Sequence, residues 1–120
     1  MAEDALTEAR EVLRALSKDD FTELMAYHCP PKPLALVCGT ALIAVGTPAG
    51  QEWADVKKKI LGDVSKFRDA MLALESVDIK RRDLATLNQR ITTLENTDMN
   101  RISRLGAALK VWLKAVVPSN

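Results

Sequence analysis

Little in this chain is equipped for covalent or redox chemistry. Two cysteines, one histidine, one tyrosine, two tryptophans and two phenylalanines are spread through 120 residues. Cys29 and Cys38 are too few for a disulfide framework and no targeting segment is expected, so a reduced, cytoplasmic setting is the default. His28 and Cys29 are adjacent, but two further ligands at workable spacing are missing, and neither a metal nor a cofactor is expected. Without a nucleotide loop, a glycine fingerprint or a Ser/His/Asp arrangement, an enzyme is not expected either. Scarce aromatics and a net charge of only +1 argue against a nucleic-acid partner. Also lacking are β-branched runs flanked by turn signals, which leaves an all-α class. Neither an internal repeat nor a low-complexity segment is visible.

What the chain does have is one uncharged stretch, with no charged residue between Lys32 and Glu52. Pro30 and Pro31 stop whatever helix precedes them, and Pro33 suits the first turn of the next one. Gly46, followed by Pro48 and Gly50, closes that helix. A helix apolar on nearly every side must be buried in protein or lipid. It is too short for a membrane span, which needs roughly 20 apolar residues, and it lacks a basic lead-in. It is expected to form the centre of the core.

Upstream, Ala5, Ala9, Val12 and Leu16 form a heptad seam, and Phe21, Leu24, Met25 and His28 begin a new phase. Ser17 to Asp20 lies at the break with N-cap spacing, so a coiled-coil arm hands over to a second helix ending at Pro30. Downstream, Trp53, Val56, Ile60 and Leu61 mark a short amphipathic helix bearing Lys57, Lys58 and Lys59, with Gly62-Asp63 as its stop. Phe67, Ala70, Met71 and Leu74 mark another. Asp78 is expected to cap a helix with the seam Leu84, Leu87, Ile91 and Leu94, its first turn carrying Lys80, Arg81 and Arg82. The last helix is expected from Thr97-Asp98 to Pro118, its apolar face running from Ile102 to Val116.

Charge is unevenly distributed. Met1 to Tyr27 holds seven acids against three bases, whereas Asp98 onward holds four bases against one acid. Basic residues on separate helices (Lys18, the Lys57–Lys59 cluster, Lys80–Arg82, Arg101 and Arg104) would suit a polyanionic partner if they converge, and are otherwise solvated faces.

The order of features resembles one family. A heptad arm leads to Cys29-Pro30-Pro31, an apolar helix ends in Val45-Gly46, and Trp53 precedes Lys57-Lys58-Lys59-Ile60-Leu61-Gly62-Asp63. Asn100-Arg101-Ile102-Ser103 and Ala107-Ala108-Leu109-Lys110-Val111-Trp112 follow near the end. Across essentially the whole chain this resembles the microtubule-binding domain at the tip of the dynein heavy-chain stalk, most of all its axonemal members.

The resemblance implies a bundle of about six helices at the tip of an antiparallel coiled-coil stalk. Residues 1–16 would end the first strand, 17–113 would form the tip, and 114–120 would begin the second strand. It also implies a tubulin-binding role without catalysis, in the cytoplasm or on the cytoskeleton of a ciliary or flagellar axoneme. Lys18, Lys57 with its neighbour Lys58, and Arg101 take the family's basic positions, and Arg104 lies close by. Some axonemal members also hold a leucine-rich-repeat light chain, while no membrane or nucleic-acid partner is implied. The chain departs from the pattern in three places. Ser17-Lys18 stands where two adjacent bases are common, Thr97 stands at an acidic position, and Thr47 to Gln51 leaves no room for a hairpin insert. The alternative is a helical interaction module that docks a protein partner through its apolar core groove.

Overall fold

Polar caps and prolines cut the chain into short helices. The computed structural model describes residues 2–48 and 52–118, with side chains from Ala5 onward. The helices are α1 (Ala2–Ala15), α2 (Lys18–Thr22), α3 (Lys32–Ala44), α4 (Trp53–Leu61), α5 (Val64–Ala73), α6 (Leu84–Leu94) and α7 (Arg104–Val116). Single 3₁₀ turns at Glu23–Ala26, Ser76–Asp78, Arg81–Asp83 and Met99–Arg101 join them. The described residues are all-helical, with no strand and no helix long and apolar enough to cross a membrane. The expected contributions of Gly50, Gln51 and residues 119–120, and of the Glu3 and Asp4 side chains, lie outside the description.

The uncharged helix is the wall against which α4, α6 and α7 pack. Pro31 caps α3 and Pro33 occupies its first turn, where no N–H is needed. Leu34, Val37, Cys38, Ala41 and Leu42 are buried, because α3 touches α4, α6 and α7 on different sides. Its end is a left-handed turn at Gly46, with φ of 84°. There Thr47 N–H donates to Leu42 O and Gly46 N–H to Ile43 O, both at 3.0 Å, the two bonds of a Schellman cap.

α1 lies antiparallel along α7. Arg10, in α1, bonds Leu74 O at 2.9 Å, while Ser76 Oγ bonds Val116 O, near the end of α7, at 2.6 Å. The opposite ends meet where Asp20 pairs with Arg104 at 3.7 Å. The expected seam is out of phase. Val12 is 40% exposed and Ala5 is exposed, whereas Leu6, Ala9, Leu13 and Leu16 are buried. Rotating the helix in this way buries Leu6 and Leu13, which offer more apolar area than Ala5 and Val12.

Three helix boundaries also differ from the reading of the sequence. The helix before the proline pair ends at Tyr27 rather than Pro30, because after one α-turn it tightens into 3₁₀. The tighter winding keeps Phe21 and Leu24 inward and leaves Met25 65% exposed and His28 exposed. Asp78 does not cap α6. Its carboxylate accepts from Glu75 N–H at 3.0 Å, and a second turn places Lys80, Arg81 and Arg82 ahead of the helix. α7 starts at Arg104 rather than near Asp98, because the Ser103 hydroxyl accepts from Gly106 N–H at 3.1 Å and Asp98 heads a separate turn. α7 then passes through residues 113–114 without a break.

Candidate interaction surface

The basic positions gather around α2, a helix of only five residues. Such a helix has no intrinsic stability and is held from outside. Ser17 and Asp20 form a reciprocal cap, with Asp20 N–H to Ser17 Oγ at 3.2 Å and Ser17 N–H to Asp20 Oδ2 at 2.8 Å. Behind it, the Arg68 guanidinium donates to Leu16 O at 2.6 Å and stacks 5.1 Å from the centre of the buried Phe21 ring. These bonds fix the angle at which the chain leaves α1 and enters α2. Lys18, the first residue of α2, is exposed and makes no hydrogen bond or ion pair with the described residues.

Two side chains tie α2 and its 3₁₀ extension to their neighbours. The Asp20 carboxylate, only 16% exposed, faces the Arg104 guanidinium of α7. Tyr27 works at both ends. Its carbonyl accepts from Trp53 Nε1 at 2.9 Å and from Lys57 Nζ at 3.0 Å, both from α4. Its hydroxyl donates to Ile102 O at 3.4 Å, beside Arg101. Lys57 and the Arg101–Ile102 turn therefore lie about one tyrosine apart, and Arg104 pairs with Asp20, two residues after Lys18.

The lysine triplet does not act as one cluster. Successive helical residues are turned by about 100°, so three neighbours cannot share a face. Lys57 is half-buried on Tyr27 O. Lys58 and Lys59 are exposed and line a concavity of about 640 Å³ toward α5, with Lys66, Asp55 and Asp63. Arg101 is open, its side chain 86% exposed, and pairs locally with Asp98 at 3.3 Å. Lys80, Arg81 and Arg82 precede α6, on a different segment from the α2–α4–α7 cluster.

Sequence reasoning missed Asp20, Tyr27 and Arg68 as connectors. Asp20 was legible as a cap because Ser17 precedes it by three. Tyr27 and Arg68 carry no local signal, since their partners are 26 to 75 residues away. Searched against known proteins, the chain matches no family model and no curated protein.

Proposed function

We propose that this chain is the microtubule-binding tip of a dynein heavy-chain stalk. It would bind tubulin reversibly through Lys18, Lys57, Lys58, Arg101 and Arg104 and carry no catalysis of its own. The observation that carries this reading is the junction made by Asp20 and Tyr27. It brings the start of α2, the inner edge of α4 and the segment leading into α7 together at one end of the α1–α7 pair. An acidic filament facing that end would meet cations from three segments at once. Because Lys18, Lys58, Arg101 and Arg104 are exposed, binding would be fast, steered and salt-sensitive rather than deep. A motor foot that must let go on every cycle needs that kind of contact.

In this reading residues 1–16 end the first stalk strand and residues 114–120 begin the second, and a shift in their register moves α2 through the Leu16–Ser17 link. The location is the axonemal cytoskeleton, and a leucine-rich-repeat light chain would be a second partner. The test is co-sedimentation with microtubules across a salt series, using Lys58→Glu and Arg101→Glu. Neither residue makes a long-range bond, so both variants should fold. Binding should fall at least ten-fold for the pair and weaken steadily with salt in the wild type. Binding indifferent to both charge reversal and salt would instead favour the apolar docking module.

A further inference from the structure

A groove of about 650 Å³ runs along α3 opposite α6, and neither Asp20 nor Tyr27 lines it. Its floor is apolar, from Leu36, Ile43, Pro48 and Val56. Two cations stand in the lining, Arg90 of α6 and Lys32 at the start of α3, and no carboxylate does. Neither cation makes a hydrogen bond or ion pair among the described residues. The residues that continue from Pro48, Ala49 to Gln51, include no acid. Arg90 reaches over α3 where that helix has no side chain, and a Cβ at Gly39 would lie 3.7 Å from its Nη1.

Arg90 is half-buried beside apolar surface, and no acid in the groove lining answers its charge. A planar carboxylate would pair with it through two parallel N–H···O bonds. We infer that the α3–α6 groove binds a small amphiphilic carboxylate, its apolar body along Leu36, Ile43 and Val56 and its acid group on Arg90. The volume lies within the range of about 300–1,000 Å³ typical of small-ligand sites. The groove follows α3 from Pro33 to Ile43, about 15 Å at 1.5 Å per residue. A single aliphatic chain or a fused aromatic ring fits that length.

The test is a methyl-resolved NMR titration of the 120-residue chain with dodecanoate below its micelle concentration, beside dodecanol as the uncharged twin. Dodecanoate should saturate one site, moving the Leu36, Ile43 and Val56 methyls, and bind at least ten-fold more tightly than the alcohol. Arg90→Gln should bring the acid down to the affinity of the alcohol. Ala35→Trp, which fills the groove and leaves Arg90 in place, should abolish both. Equal affinity for acid and alcohol, no effect of Arg90→Gln in a folded variant, or shifts elsewhere on the surface would each overturn the inference. So would an acidic amphipathic peptide that moves these methyls when dodecanoate does not. None of these outcomes depends on microtubule binding.

Discussion

The α1–α7 pair and the segment from Ser17 to Tyr27 meet at Leu16, yet they are held by different physics. Between α1 and α7 the contact is burial. Leu6, Ala9, Leu13 and Leu16 face Leu105, Leu109, Trp112, Leu113 and Val116, all less than a tenth exposed. Each such large side chain contributes about 1.5–3 kcal/mol, with no dependence on charge. From Ser17 to Tyr27 only Phe21 and Leu24 are buried, and the segment is fixed by a cap, an ion pair and donors from Arg68, Trp53 and Lys57. The comparison teaches that one half is stiff for reasons salt cannot touch. The other half is ordered by a few polar bonds that can be lost singly. Local opening should therefore start between residues 17 and 27.

The largest effect tests the apolar half. Trp112→Ala should cost about 3–5 kcal/mol in urea unfolding, a large share of what a domain of this size possesses. Trp112→Phe should cost much less than that, because it also removes a buried indole N–H that has no hydrogen-bond partner. If Trp112→Ala proved no worse than the loss of Lys57, the proposed division of labour would be wrong.

Next comes pH. Cys38 sits in the shared wall α3, and burial pushes its thiol up to about 12 from an ordinary value of 9.0. The folded state therefore keeps its proton where the unfolded chain gives it up. The contribution is intact below about pH 9 and declines as pH rises toward 12. At pH 10.5 the loss should be about 2 kcal/mol, from roughly 1.36 kcal/mol per unit. Urea midpoints at pH 7 and 10.5 should differ less for Cys38→Ala than for the wild type. In native protein a thiol reagent should label exposed Cys29 and spare Cys38.

Lys57→Met then probes the polar half directly. It keeps the stem but removes the ammonium from Tyr27 O, at a cost of about 1 kcal/mol for a half-exposed charged donor. Hydrogen exchange should speed up for amides between 18 and 27 and hold steady in α1 and α7. Uniform acceleration would mean that the two regions open as one unit.

The apolar half was also the more legible in the sequence, for the same reason. Burial leaves a periodic trace, so α3 and its proline and glycine ends could be read from residues 30–46 alone. The phase of α1 was misread because Val12 and Leu13 are both apolar and only the partner helix decides between them. The start of α7 was misread because Thr97, Asp98 and Ser103 are all good caps, and the chain turns twice before the last one is used. At the basic surface, residue types were visible but pairings were not. Nothing near Tyr27 announces that α4 will bond to its carbonyl, and nothing near Lys57 separates it from Lys58.

The finest test compares two serines that do the same job in the two regions. Ser17 caps α2 and Ser103 caps α7, at 3.2 and 3.1 Å from the amide three residues on. Chemistry and geometry match, but the setting does not. Ser17 is exposed, so when it becomes alanine water can take the freed N–H, and the loss should be about 0.5 kcal/mol. Ser103 is 4% exposed, and the Gly106 amide it serves is buried. Nor can water be squeezed in easily, since a Cβ at Gly106 would already lie 2.5 Å from the Met99 terminal methyl. Ser103→Ala should therefore leave an orphaned donor and cost about 1–2 kcal/mol. Measured by urea unfolding on one backbone, the two losses should differ at least two-fold. Equal losses would mean that water reaches the start of α7 as freely as the start of α2, and the contrast between a dry half and a wet half would fail at that point.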